Sequence, residues 1–397
     1  MPKTQVIPVD VRRDRLGPVD ELRQLRATAP VTPAETVPGL AHRPTWLVTG
    51  HAEVREVLGD SGRFRTRPPA DSEADSRQLM QPGNLLHFDP PEHGRLRKMF
   101  TPEFTVKRMR RLEPRIQAIV DDFLDLMEQA GPPADLMRQF AQPVAGMIIC
   151  DLLGVPLDDY AILARYGNML RDGSRPRKER MAAGAGLMNY FAAHETRLRA
   201  APDEELLGML VREQGDSLSH EELAGFAIAL LNAGLDNTSA MIGLGTLALL
   251  EHPDQLGLLR ERPELVGNAV EELLRYISVI PTASPRTAVV DVRLAGELIR
   301  QGDRVRCSLM SANRDAATCP EPDRLDITRE PAPHVAFGHG IHHCLGAPLA
   351  RLEMRLVYQA LFCRFPTLKL AVPAEDVRFR IAPSKVVFSL EALPVVW

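Results

Sequence analysis

Apolar residues recur every three to four positions through most of the chain, which is the pattern of amphipathic α-helices. This spacing predicts helices over 20–27, 51–58, 92–130, 135–153, 157–171, 179–199, 203–213, 254–262, 264–277 and 345–364. Strand patterns are confined to 45–50, 285–310 and the end of the chain. No internal repeat or linker divides the sequence. We therefore expect a single mainly α domain over residues 1–397, with a small β-rich part.

One segment is far more apolar than the rest of the chain. Residues 223–250 read LAGFAIALLNAGLDNTSAMIGLGTLALL, and about 20 such residues would suffice to span a bilayer. However, Asp236 lies in its middle with Asn232 and Asn237 close by, and a central charge is costly in lipid. Ser219 begins a capping box ahead of the segment. We therefore predict a long buried helix and no membrane contact.

Composition and charge narrow the function classes. The chain has 397 residues, of which 45% are hydrophobic and 25% charged, as in ordinary globular proteins. A formal net charge of −4 argues against a nucleic-acid-binding chain. Five scattered cysteines without a C-x-x-C motif argue against a disulfide framework. With no apolar leader at the start, these features predict a cytoplasmic protein.

The sharpest candidate for chemistry is HVAFGHGIHHCLGAPLARLE, residues 334–353. Cys344 follows a glycine-rich loop and directly precedes a predicted helix. Gly338, Gly340 and Gly346 allow tight backbone turns and leave room for a flat group. The amides at a helix start stabilise an anion, which favours the thiolate form that binds metal.

The residues alone leave three interpretations of this segment open. A Cys–His nucleophile would need a positioned base, and no protease or transferase signature surrounds Cys344. Zinc would need ligands from the neighbouring His334, His339, His342 and His343, whose spacing is uneven. The third interpretation is a haem iron with Cys344 as its axial ligand.

A family resemblance favours the third interpretation. The run F-G-x-G-x-H-x-C-x-G resembles the haem-binding signature of cytochromes P450. Its positions are filled by Phe337, Gly338, Gly340, His342, Cys344 and Gly346. The resemblance implies the family's helical prism around haem b (iron protoporphyrin IX), with the Cys344 thiolate as iron ligand.

Two further sets of residues match the family's pattern. Glu272 and Arg275 resemble its E-x-x-R pair, with Arg324 in PDRLD as the third partner, and this resemblance implies a role in holding the core together. Haem carries two propionates, for which Arg and His make suitable charge-assisted contacts. The resemblance implies that His93, Arg97, Arg286 and His342 bind these propionates.

The long apolar helix resembles the family's distal helix at its segment AGLDNT. The resemblance implies that the small Ala233 and Gly234 admit O₂ and substrate, and that Asp236 takes part in proton delivery. Asn237 departs from the family because it occupies the usual alcohol position, and Thr238 lies about 100° further around the helix. We therefore expect Asn237 to hold a water molecule, or a substrate hydroxyl to replace the missing alcohol.

The resemblance implies a haem-thiolate monooxygenase that oxidises a small organic molecule, typically a secondary metabolite. Electrons would come from ferredoxin and ferredoxin reductase, through a positive patch that would steer an acidic partner. The candidate patch comprises Arg95, Lys98, Lys107, Arg108, Arg110, Arg111, Arg351 and Arg355. Asn237 keeps oxidative C–C or C–N coupling open as an alternative, and a non-catalytic haem-binding protein is the alternative from another class.

The resemblance also places a substrate pocket, with walls from 66–88, 165–185 and the turn at 381–384. Its predicted lining residues are Leu86, Ala229, Asn232, Val279, Ile280, Thr282, Ala283 and Ile381. Because these residues are mostly apolar or small, we expect a medium-sized and largely apolar or aromatic substrate.

Overall fold

The computed structural model describes residues 8–34, 44–67, 81–173, 175–380 and 387–397. The predicted pocket residue Ile381 lies outside the described residues, as does much of the predicted 66–88 wall. The α-helices are α1 Asp20–Thr28, α2 His51–Gly59, α3 Glu92–Phe100, α4 Val106–Ala130, α5 Gln142–Leu153, α6 Tyr160–Arg171, α7 Arg177–Ala200, α8 Leu206–Gln214, α9 His220–Ala233, α10 Ser239–Glu251, α11 Pro253–Glu261, α12 Val266–Ile277, α13 Leu309–Ala312 and α14 Ala347–Arg364.

The strands are short and gather into small sheets. They are β1 Arg13–Asp14, β2 Gly17–Pro18, β3 Val31–Ala34, β4 Thr45–Val48, β5 Phe64–Arg65, β6 Ala134–Asp135, β7 Arg286–Ala288, β8 Val292–Leu294, β9 Glu297–Ile299, β10 Arg304–Cys307, β11 Lys369–Leu370, β12 Phe379–Arg380, β13 Ser389–Leu390 and β14 Pro394–Val396. The largest sheet has five strands in the order β3-β4-β10-β7-β5, with β4 and β10 parallel. The prediction of a mainly α fold with a small β part is confirmed.

A continuous helical rod formed by α9, a π-helical turn and α10 crosses the core, and we call it the distal helix. It begins with the predicted capping box, in which Ser219 Oγ accepts from the Glu222 amide at 3.2 Å and Glu222 Oε2 accepts from the Ser219 amide at 2.9 Å. Most of the apolar residues in α9 and α10 are buried, so the predicted buried helix is confirmed. In the described part of the chain, no helix combines the length and apolar character needed to cross a membrane.

Two predicted helices differ from the structure in their regularity. The predicted helix over 92–130 divides into α3, a 3₁₀ turn at Thr101–Phe104 and α4. Pro102 stands in that turn and has no N–H to donate, which interrupts the α-helical ladder. The predicted helix over 135–153 begins with a π-helical turn at Met137–Ala141 before α5.

The predicted Glu272–Arg275 pair lies in the core. Arg275 donates from Nε and Nη2 to the two carboxylate oxygens at 2.7 and 2.8 Å, and its side chain is 2% exposed. It also donates to the Asn313 and Pro322 carbonyls. This guanidinium therefore ties α12 to the coil that leads to the cysteine loop.

The prediction that Arg324 is the third partner is wrong. Its side chain is 59% exposed and pairs with Glu321 at 3.3 Å. The next residue, Leu325, is buried and turns Arg324 outward, so that only the Arg324 carbonyl faces Arg275. Arg329 supplies the third charge instead, because its side chain is 14% exposed and its Nε lies 3.5 Å from Glu272.

Candidate active site

Residues 334–346 form a tight loop, which we call the cysteine loop, between the coil and α14. The Cys344 amide donates to the Phe337 carbonyl at 2.9 Å. Gly338 and Gly340 have φ angles of 71° and 72°, which side chains rarely tolerate. A Cβ on Gly340 would lie 2.2 Å from the Leu58 carbonyl oxygen of α2. The glycine at 340 is therefore needed for the loop to pack against α2.

The Cys344 thiol lies at the end of this loop, immediately before α14. It is partly accessible to solvent, yet the protein around it raises its pKa by burial. The Gly346 and Ala347 amides and the charge of Arg97 act in the opposite direction. The helix start thus stabilises the thiolate as the sequence suggested, but burial dominates in the protein alone, and a bound metal is what would complete the deprotonation.

Three of the loop histidines, His334, His339 and His342, contact different partners, which disfavours the zinc interpretation. His334 lies 3.1 Å from Glu271, and His339 lies against Gly59 of α2. His342 faces His93. Among the residues that the structure describes, no group of three or more His, Cys, Asp and Glu side chains is arranged to hold a metal ion.

A cluster of basic side chains lies beside the cysteine loop. His93 and Arg97 come from one face of α3, Arg286 from β7 and His342 from the loop itself. The rings of His93 and His342 are 4.5 Å apart between centroids. Burial, helped by Arg286 and His93, lowers the pKa of His342 to about 3. The four residues predicted to bind the propionates therefore lie so close together that a positive charge on one makes a positive charge on the others less favourable.

Several buried polar atoms in this cluster have no hydrogen-bond partner among the residues that the structure describes. They are Nε2 of His93 and both ring nitrogens of His342. Buried polar atoms normally find partners, so a donor-rich site of this kind indicates an anionic ligand. Two carboxylates beside a cysteine are what a haem presents, and the residues fit that group.

The distal helix changes register where its AGLDNT segment lies. Gly234–Thr238 form a π-helical turn, a distortion that is frequent at functional sites. Ala233 is exposed and Asn237 is partly exposed, whereas Thr238 is buried. The Thr238 side chain hydrogen-bonds with Glu353 of α14, whose burial raises the Glu353 pKa to about 8. The accessible face thus carries the amide of Asn237 and not the alcohol of Thr238.

Gly234 lies where the distal helix packs against α5. A Cβ at this position would lie 2.8 Å from Ile149 Cγ1 of α5. The missing side chain therefore permits close packing of the two helices, and the role of Gly234 in admitting O₂ and substrate stays a prediction.

Asp236 is held by a residue that the sequence analysis did not single out. Arg171, the last residue of α6, places Nε 2.5 Å from Asp236 Oδ2 and donates from Nη2 to Oδ1 at 3.0 Å. It also donates to the side-chain oxygen of Asn232. Because Asp236 lies 65 positions away in sequence, no local spacing signals this contact.

The predicted pocket residues differ in their accessibility. Leu86 is 49% exposed, whereas Val279 is buried in the core and offers little surface to a ligand. Thr282 pairs with Ser308 in an isolated β-bridge. The remaining described residues, Ala229, Asn232, Ile280 and Ala283, are partly buried.

The glycine-rich cysteine loop, the adjacent basic cluster and the distal helix together match the arrangement of a haem-thiolate protein. The family model for cytochrome P450 matches residues 39–171 and 177–377. Cytochrome P450 165B3 of Amycolatopsis orientalis is 46% identical over 98% of this chain and 98% of its own length. Vitamin D(3) 25-hydroxylase of Pseudonocardia autotrophica is 44% identical over 94% of this chain and 91% of its own.

Solved structures show the same similarity. The structure of OxyE (CYP165D3), a cytochrome P450 involved in teicoplanin biosynthesis, matches with a TM-score of 0.91 at 44% identity, covering 99% of this chain and 100% of that one. The chain belongs to the cytochrome P450 family. It is an oxidoreductase of the monooxygenase type with haem b as cofactor and the Cys344 thiolate as iron ligand.

Proposed function

We propose that this P450 inserts oxygen into a medium-sized, largely apolar secondary metabolite, and that His93, Arg97, Arg286 and His342 bind the haem propionates. The observation that carries the proposal is the buried basic cluster beside Cys344, with its unpartnered ring nitrogens. Bound haem supplies the oxygen-activating redox chemistry. The protein supplies the thiolate ligand, the orientation of the substrate and the protons.

The proton-handling groups lie on the distal helix. Asp236 is the acid, and Arg171 at the end of α6 pairs with it through one hydrogen bond and one close ionic contact. Asn237 has an amide that holds a water molecule in the place of the family's alcohol. Proton-transfer groups of this kind contribute about 10²–10⁴-fold to rate. In this proposal Asp236 moves the proton, Asn237 positions it and Arg171 positions the acid.

We propose ferredoxin and its reductase in the cytoplasm as the electron source. Three members of the predicted positive patch are paired with acids, namely Arg95, Arg108 and Arg351. The others are exposed and make no ion pair with the described residues: Lys98, Lys107, Arg110, Arg111 and Arg355. Exposed charges of one sign steer an acidic partner and make association salt-dependent.

The electron-transfer proposal is tested with a reduced bacterial ferredoxin. Lys107→Glu and Arg110→Glu should each raise the KM for ferredoxin several-fold and leave the CO spectrum unchanged. Arg260→Glu is the control, because Arg260 lies on α11, outside the helices that form the positive patch. A wild-type KM for ferredoxin in both patch variants would contradict the proposal that ferredoxin docks on this surface.

The proposed reaction is tested on haem-loaded protein. Reduced protein with CO should show the strongly red-shifted Soret band of thiolate ligation, and Cys344→Ala should lose it. A metabolite library is then searched for substrate-induced spectral shifts, and the product of each positive compound is formed under ¹⁸O₂. Incorporation of the label supports monooxygenation, whereas a Cys344→Ala variant that keeps the band overturns the assignment.

Oxidative coupling of an aromatic or peptide-like metabolite is the second candidate. Two observations favour it: Asn237 replaces the usual alcohol, and the chain is 44% identical to P450 StaH from glycopeptide antibiotic A47934 biosynthesis, over 99% of its length. The label distinguishes the two reactions, because coupling gives a cross-linked product without ¹⁸O.

A further inference from the structure

Glu271 of α12 connects the two ends of the segment that carries Cys344. Its carboxylate accepts two hydrogen bonds from Arg351 of α14, at 2.6 and 2.9 Å. It also lies 3.1 Å from Nε2 of His334, at the start of the cysteine loop. One carboxylate thus joins a residue before Cys344 to a residue after it, and the pair with Arg351 and the contact with His334 lower the pKa of Glu271 to about 2 despite its partial burial.

The hydrogen bonds of His334 fix its tautomer. Nδ1 accepts from the Ala336 amide at 3.3 Å, so the proton of the neutral ring resides on Nε2. That proton points at Glu271. His334 therefore adds a second contact that orients the Glu271 carboxylate beside Arg351.

Arg351 in turn lies on the ring of Phe337. Its guanidinium carbon is 4.7 Å from the ring centroid, within the range of a cation–π contact. The Phe337 carbonyl accepts the Cys344 amide at 2.9 Å. Arg351 and Phe337 thus connect Glu271 to the backbone of Cys344.

We propose that Glu271 and Arg351 form a charge-balanced clamp that sets the electrostatic environment of the Cys344 thiolate, and with it the reduction potential of the bound haem. The inference rests on Cys344 as the haem ligand. Both are positioning residues. A cation near the iron favours the reduced haem, which carries one positive charge fewer, and an anion favours the oxidised haem.

The charges predict opposite effects for the two single variants. Glu271→Gln keeps the shape of the side chain but leaves Arg351 unbalanced, so the potential should rise. Arg351→Gln leaves Glu271 unbalanced, so the potential should fall. We expect each to change the reduction equilibrium constant about threefold or more, which is about 28 mV for one electron. The double variant should return towards the wild-type potential.

The experiment is a spectroelectrochemical titration of the haem-loaded proteins, with the CO spectrum recorded for each. Arg355→Gln is the matched control, because Arg355 carries the same charge one turn further along α14 and is exposed. Its charge is screened by water, so its removal should shift the potential less than removal of Arg351. Arg351→Lys, which keeps the charge on a partly exposed position, should retain a potential near wild type.

The outcomes separate this clamp from a purely structural role. Single variants that shift the potential in the same direction, or a double variant that departs further from wild type, would overturn the proposal. Equal shifts from Arg351→Gln and Arg355→Gln would also overturn it. Should Glu271→Gln fail to retain haem, the comparison of Arg351→Gln with Arg351→Lys decides the matter. Absence of the thiolate CO band in the wild type would instead refute Cys344 as ligand.

Discussion

Arg171 and Asp236 form an ion pair that joins the end of α6 to the middle of the distal helix. The two closest contacts are 2.5 and 3.0 Å, and both side chains are about one-fifth exposed. A partly buried ion pair constrains the acid more strongly than a solvated one. Any movement of α6 therefore changes the position of Asp236.

Arg171→Gln should free the Asp236 carboxylate and lower the yield of product per electron by about tenfold, since a proton donor that is out of place loses much of its contribution. Peroxide formation and product are measured together at equal haem content. Arg175→Gln is the control, because Arg175 is exposed and pairs with Asp172 and Glu179 instead of Asp236. Equal yields in the two variants would contradict a role for the Arg171–Asp236 pair.

Asn237→Ala tests whether the amide positions a water molecule. If it does, the variant should release more peroxide while NAD(P)H consumption continues. If a substrate hydroxyl or Asp236 alone supplies the proton, Asn237→Ala should still form product, whereas Asp236→Asn should not. Product yields within about twofold of wild type in both variants would rule out proton delivery from this segment, given the usual size of such effects.

Arg97→Ala should weaken haem retention. Loss of one partner from a desolvated ion pair costs roughly 3 kcal/mol or more, which is over a hundredfold in affinity. Haem transfer to apomyoglobin measures the effect. Lys98→Ala removes the adjacent cation, which is exposed, and should retain haem like the wild type. Indistinguishable transfer rates in the two variants would argue against Arg97 as a propionate ligand.

Arg329→Ala should lower the free energy of unfolding by about 1–3 kcal/mol, because the buried Glu272 carboxylate and the carbonyls of Pro320 and Glu321 lose a donor. Arg324→Ala should change it by no more than about 0.5 kcal/mol, as expected for an exposed side chain. Denaturant titration of the two haem-loaded variants checks the difference. A larger loss in Arg324→Ala would restore it as the third partner.

Glu353→Gln should alter the pH dependence of stability. Burial raises the Glu353 pKa to about 8, so the protonated carboxyl is favoured in the folded protein. Its contribution is complete below the ordinary pKa of about 4.3 and is lost as the pH rises through about 8. Relative to Glu353→Gln, the wild type should lose on the order of 5 kcal/mol over this interval. Parallel stability profiles would contradict a buried neutral carboxyl.

The sequence predicted correctly those features that depend on residues close together along the chain. The capping box at Ser219 and the i, i+3 pair of Glu272 with Arg275 depend on neighbours a few residues apart, and both are present. The order of His93, Arg97, Arg286 and His342 along the chain required a family resemblance, since the residues come from three separate elements.

Long-range contacts escaped the same reasoning. Arg171 pairs with Asp236 although the two residues are 65 positions apart in sequence, and Glu271 pairs with Arg351 over 80 positions. Arg329 contacts Glu272, whereas Arg324 does not, because the burial of Leu325 turns the adjacent Arg324 side chain towards solvent. Packing between helices and strands determines these contacts, and the periodicity of the sequence does not predict them.

The π-helical turn at Gly234–Thr238 has a consequence for insertions and deletions. A π-turn accommodates one residue more than the α-helix around it. Deleting one residue here would therefore leave a regular α-helix in which α9 and α10 keep nearly their present relative rotation. Deleting one residue from the α-helical part of the distal helix would instead rotate the segments on its two sides by about 100° relative to each other. The turn at Gly234–Thr238 should therefore tolerate the loss of a single residue better than α9 or α10.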